Sequence, residues 1–222
     1  LYLPVFLFFL NFAIIAYFPA LGFPLTEPRN YFFANLLYMT VNFAVMLLIF
    51  RRTLWQSLRE FEGKMLLSVL IGFGMCYGAN LVLTTAYTVL DIMPENYNQE
   101  AVNSLLGGYP LAMTLCTVVL APLAEECLFR GVLFAPLARR CLPAAYALSM
   151  FLFAGMHVFQ FLGSMTAANT ILCLSLYLPA SFSLCWVYQK TGNIWAGIFL
   201  HMFINFQSVL ASLLRSLMQA FL

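Results

Sequence analysis

The sequence predicts an all-α fold: a polytopic membrane helix bundle of about seven transmembrane helices with its N-terminus in the cytoplasm. Composition, the length of the apolar runs and the sign of the charge between them carry that prediction. Hydrophobic residues fill 64% of the 222 positions and charged residues 8%, whereas soluble domains carry about 25% charged residues. Mean hydropathy is +0.92. At roughly 20 apolar residues per spanning helix, the chain holds about seven helices and short loops, so residues 1–222 read as one transmembrane domain without a soluble one. The runs are long and continuous, unlike the alternating segments of about ten residues that build an outer-membrane barrel.

Pro, Gly and charge collect between the runs and delimit spans near residues 2–22, 31–50, 65–90, 110–135, 143–162, 168–188 and 193–215. Leu1 to Phe18 has neither the basic leader nor the small-residue cleavage site of a secretory signal, so it reads as the first span. A start without Met carries the expectation of a trimmed or processed chain. After span two, Leu54, Trp55, Leu58 and Phe61 recur at helical spacing among Arg51, Arg52, Arg59 and Lys64. An amphipathic interfacial segment is one reading; the short length and Glu60 and Glu62 favour an ordinary charged loop. Gly72, Gly74 and Gly78 in span three suit close helix packing. Asp91, Glu95 and Glu100 occupy the connector 91–109, Arg139 and Arg140 follow span four, and Lys190 follows span six. Basic loops face the cytoplasm, which places the acidic connector and the C-terminus outside. Arg215 is the one mild dissent.

A net charge of +2 without a basic cluster argues against nucleic acid as a partner; the lipid bilayer is the partner that composition demands. The six cysteines, Cys76, Cys116, Cys127, Cys141, Cys173 and Cys185, show no CxxC pairing and read as small buried hydrophobes.

Against this apolar background the polar residues stand out. Glu125, Glu126 and Arg130 lie within span four, where an ionised side chain costs several kcal/mol unless it is paired or hydrated. Glu126 and Arg130 are four residues apart, share a helix face and can pair. Glu125 projects about 100° away, free to point into a cavity. Gly131, next to the arginine, lets a neighbouring helix come close. The two histidines, His157 and His201, are also in apolar runs. His201 and Asn205 share a face of span seven, Asn193 lies near the cytoplasmic end of that span, and Phe153 precedes His157 by one turn in span five. These clusters stand roughly ten to fifteen residues from the cytoplasmic boundary, about 15–22 Å by helix rise, so they can meet at one depth. Each feature has a structural reading as well: the Glu/Arg pair as a register lock, His157 as a hydrogen-bonded core residue, and His201 with Asn205 as interhelical glue. Cys127 beside two carboxylates is a packing residue, since they oppose a thiolate.

In chain order, Glu125-Glu126-Cys127-Leu128-Phe129-Arg130-Gly131 fits an EExxxR signature, Phe153-Ala154-Gly155-Met156-His157 fits FxxxH, and His201-Met202-Phe203-Ile204-Asn205 fits HxxxN. The chain thereby resembles the CAAX-protease and bacteriocin-processing (CPBP, or Abi) family of intramembrane proteases. The resemblance covers residues 121–206, inside a motif-bearing core of about 110–215.

The resemblance implies that Glu125 acts with His157 to activate a water, that His201 and Asn205 stabilise the oxyanion, and that Glu126 with Arg130 supports the site. No cofactor is required on that reading. The alternative is a divalent metal such as zinc held by Glu125, His157 and His201, although the HExxH spacing is absent. The implied substrate is a peptide or membrane protein cut near the cytoplasmic face. It could be a prenylated C-terminus, a leader-bearing bacteriocin precursor or a membrane-anchored protein. Compactness favours a bacterial cytoplasmic membrane and a role in peptide processing or bacteriocin self-immunity. Two other classes compete: a non-catalytic scaffold or immunity protein of the same fold, and a proton-coupled transporter, which the missing internal repeat disfavours.

Overall fold

The computed structural model describes residues 10, 13, 14 and 16–220. Of the expected first span, 2–22, residues 2–9, 11, 12 and 15 lie outside these residues, and 16–20 are helical. The described chain contains no strand and is built from seven principal helices: α1 (Pro28–Arg59), α2 (Lys64–Val89), α3 (Tyr97–Gly108), α4 (Pro110–Ala138), α5 (Leu142–Val158), α6 (Ala167–Thr191) and α7 (Ile194–Ala220). A tight 3₁₀ stretch, Phe159–Ser164, continues α5. Six of the helices, all but α3, are long and apolar enough to cross a membrane. Large apolar side chains on their outer faces are exposed, among them Leu48, Leu67, Leu111 and Ile171. The chain is an integral, multi-pass membrane protein.

Two segments depart from the sequence expectation. The stretch after span two is a continuation of α1 to Arg59 rather than a loop, because its last turns find partners at the start of α7. Leu54 is buried and its carbonyl accepts a bond from Trp195 Nε1 at 2.7 Å; Asn193 Nδ2 donates to the Ser57 carbonyl at 2.7 Å, and Ser57 Oγ accepts from the Ile194 N–H at 3.1 Å. Asn193 in turn caps α7 by accepting from Trp195 N at 2.9 Å. This end of the bundle is therefore stitched shut. Gly192, at φ +64°, makes the left-handed turn that lets α6 run directly into α7.

The second departure is the connector 91–109, which contains the helix α3. Asn96 caps it by accepting from Gln99 N. Leu105 and Leu106 then bury against Phe32, Met113 and Val209, and Tyr109 stacks on Phe32 with centroids 3.8 Å apart. Asn98, Gln99 and Asn103 interrupt the apolar face, so the sequence alone shows only a connector.

Small residues set the close approaches. A methyl on Gly72 would lie 2.5 Å from Val187 Cγ2 and 2.9 Å from Leu200 Cδ2, and one on Gly131 would lie 2.5 Å from Phe50 Cε1. Gly74 and Gly78 face open space, so of the three span-three glycines only Gly72 packs. Five of the six cysteines are buried as expected; Cys141 is exposed, because it ends the α4–α5 turn beside Arg139 and Arg140.

Overpacking a helix contact costs about 1–3 kcal/mol. Gly72→Ala should therefore lower the melting temperature in detergent while Gly74→Ala leaves it nearly unchanged; equal shifts would contradict the packing of α2 on α6 and α7.

Candidate active site

The site begins with an irregularity in α4. Ala121 N bonds back to the Cys116 carbonyl, five residues earlier, so the helix widens into a π turn over Cys116–Leu120. Such turns gather at functional sites. In that register the next donor, due to reach the Thr117 carbonyl, is buried Pro122, which has no N–H. The orphaned carbonyl is taken by Asn205 Nδ2 from α7, at 2.8 Å. A proline thus fixes the position of the HxxxN asparagine and leaves its second amide hydrogen free.

One turn and a half further along α4, Glu126 and Arg130 are both fully buried. Arg130 Nη1 donates to Glu126 Oε1 at 2.9 Å and Nη2 to the Ser181 carbonyl at 3.2 Å. The same Glu126 oxygen lies 2.9 Å from His201 Nδ1. With Glu126 as acceptor, Nδ1 carries the hydrogen and His201 turns Nε2 toward Glu125 Oε2, 3.8 Å away. Glu126 therefore serves both Arg130 and His201, a bond that helix periodicity within α4 could not reveal. Gly197 makes room for it: a methyl there would sit 3.0 Å from Glu126 Oε2.

Phe153 of α5 explains the FxxxH spacing. Its ring lies under the Arg130 guanidinium at 5.0 Å and edge-on to His201 at 5.5 Å, while its carbonyl is 2.9 Å from His157 Nδ1 one turn later. The aromatic ring satisfies a buried cation, and the backbone orients the imidazole. His157 also stacks on Tyr177 of α6 at 4.6 Å. With Nδ1 donating to the helix carbonyl, Nε2 is the free nitrogen.

Glu125 takes the opposite course from Glu126. Its side chain remains 18% exposed, and it lines two cavities. One, of ≈ 230 Å³, is also lined by Tyr38, Thr117, His157, Tyr177 and Asn205; the other, of ≈ 360 Å³, is walled by Met39, Leu128, Phe129, Leu133, Leu152 and Met156. Glu125, His157 and Asn205 thus share a polar void, and His201 stands behind Glu125. Tyr38 and Asn35 from α1, Thr117 from α4 and Tyr177 from α6 complete the polar void and escaped the sequence reading. Asn35, Tyr38 and Asn42 form a polar stripe at three- and four-residue spacing on an apolar helix, which is the signal that could have found the first two.

Among the described residues no three His, Cys, Asp or Glu side chains are grouped so as to hold an ion. His201 Nδ1 is bonded to Glu126 and His157 Nδ1 to its own helix, which leaves Nε2 as the free nitrogen of each histidine.

Residues 107–207 match the family model described as "Type II CAAX prenyl endopeptidase Rce1-like". Over these residues the chain is similar to that family. The chain is similar to a protein of Bacillus subtilis (strain 168) named "Putative membrane peptidase YdiL", with 28% identity over 166 residues, covering 72% of this chain and 64% of that protein. The chain thus aligns with less than two thirds of the relative's length. No solved structure matches the chain significantly. The matched region contains all of Glu125, Glu126, Arg130, His157, His201 and Asn205.

Removing one partner of a buried pair strands the other and costs about 3–5 kcal/mol. Arg130→Met should unfold the helix bundle at markedly lower temperature, and adding Glu126→Gln should recover part of the loss. A fully additive double variant would show that the two residues do not form a coupled pair.

Proposed function

We propose that this protein is an intramembrane endopeptidase in which Glu125 and His157 activate a water that attacks a peptide carbonyl. The observation that carries this reading is the different fate of two adjacent carboxylates: Glu126 is consumed by Arg130 and His201, while Glu125 opens into the cavity it shares with His157 and Asn205. The family match over residues 107–207 and the peptidase name of the Bacillus relative support the same reaction class.

The water's oxygen bonds to the carbonyl carbon as its proton passes to Glu125, with the free Nε2 of His157 accepting a hydrogen bond that orients it. Negative charge gathers on the former carbonyl oxygen. Asn205 offers its second amide hydrogen there, having spent the first on the Thr117 carbonyl. His201 joins as a donor through Nε2 when it carries both protons, with Glu126 as its counter-charge at Nδ1. Collapse breaks the C–N bond, and Glu125 returns the proton to the departing amine. Substrates are peptides or membrane-anchored proteins, and in a bacterial membrane the fitting roles are peptide processing and bacteriocin self-immunity.

Glu125→Gln keeps the shape of the side chain and removes its basicity. Purified variant should lose about a hundredfold or more of the turnover toward a tagged membrane-peptide library read by mass spectrometry, with its melting temperature retained. Asn205→Ala should also lose about a hundredfold. Undiminished cleavage by Glu125→Gln would refute the assignment. Wild-type cleavage is expected to survive chelators; loss restored by zinc would reassign Glu125, His157 and His201 as ligands.

A further inference from the structure

Sequence spacing set the polar residues within reach of the cytoplasmic end, but the cavity leads the other way. Its polar wall is built by Asn98 and Gln99 of α3, Gln160 of the 3₁₀ stretch, Tyr177 and Ser208. Gln160 is exposed and its Nε2 reaches Asn98 Oδ1 across the opening at 3.4 Å, a long bond that closes the rim loosely. Asn98 Nδ2 donates to Tyr177 Oη at 3.2 Å, and the Tyr177 ring stacks on His157. A continuous polar path therefore runs from the rim to the site.

The rim is at the acidic end of the bundle. The Glu95 backbone exchanges hydrogen bonds with the Asn169 side chain at 2.9 and 3.0 Å, so the 91–96 segment, the start of α3 and the start of α6 share that end. Arg51, Arg52, Arg59, Lys64, Arg139, Arg140 and Lys190 all belong to the opposite end. There the site is sealed: Met46, Leu54, Leu123, Cys127, Ile194 and Ile198 form a packed core with 0–6% exposure. The Asn193 and Trp195 bonds to α1 close what remains.

Given the positive-inside bias, we infer that the scissile segment reaches Glu125 from the non-cytoplasmic face, through the mouth between α3 and residues 159–164. The inference rests on the peptidase reading for the word scissile, and on geometry alone for the route. The rim offers carboxamides and hydroxyls and no full charge, which suits the backbone of an extended, uncharged polar peptide segment displayed outside the membrane. The second cavity at Glu125 is mostly apolar, with Tyr38 and Asn42 the other polar side chains in its wall.

Thiol accessibility tests the route without requiring turnover. Cys141, the one exposed natural cysteine, marks the basic end. Full-length chains carrying Gln160→Cys, Asn98→Cys or Ala121→Cys, each on a Cys141→Ser background, are treated in intact cells with a membrane-impermeant cationic methanethiosulfonate; the natural chain is the control. Positions 160, 98 and 121 should react in intact cells as fully as after permeabilisation, whereas Cys141 should lose its signal unless the cells are permeabilised. Ala121 lies deep beside Glu125, and the three positions guard against one variant failing to fold. The proposal is overturned by position 121 reacting only after permeabilisation, by its reacting from neither side, or by Cys141 reacting in intact cells. Labelling as expected together with full cleavage by Glu125→Gln would keep the route and discard the chemistry. The reverse pair of results would keep the chemistry and discard the route.

Discussion

Everything in the site hangs on a buried ionic knot: one oxygen of Glu126 binds both the guanidinium of Arg130 and the imidazole of His201. Two ionised groups in a low-dielectric interior are tolerated only where each is satisfied by the other and by further bonds. Arg130 obtains these from the Ser181 carbonyl and from the face of Phe153, which joins α4, α5, α6 and α7 at one depth. The knot holds the four helices in register, and the register brings Glu125, His157 and Asn205 onto one void.

The three signature spacings become physical statements in this light. EExxxR gives one carboxylate to the knot and the next, turned by about 100°, to the cavity. FxxxH joins an aromatic wall for the arginine to a carbonyl that aims the histidine one turn later. HxxxN places a knot member and a ligand of the Thr117 carbonyl on one face of α7, and that carbonyl is free because Pro122 interrupts the π-widened turn of α4.

Much of this was legible in the sequence because hydropathy and helical periodicity are local. Spans two to seven, the pairing of Glu126 with Arg130, the freedom of Glu125 and the tight approach at Gly131 all follow from residue spacing along single helices. What the spacing hid depends on partners far along the chain. The bond from His201 to Glu126 joins residues on α7 and α4. The end of α1 became helix because Asn193 and Trp195 bind its last turns. The helix α3 was masked because Leu105 and Leu106 are few among amides, and it takes shape only against Phe32, Met113 and Val209. The direction of the polar cavity needed α3 in place, because Asn98 and Gln99 build part of its wall.

The proposed mechanism requires Glu125 to be a hydrated carboxylate inside the membrane, held ready by a dry knot behind it. An experimental structure of the protein in a lipid nanodisc, at a resolution that shows ordered water, tests this directly. It should place a water within about 3 Å of Glu125 and His157, with no water at Glu126 or Arg130. A dry cavity, or a Glu125 side chain packed away from His157, would contradict it.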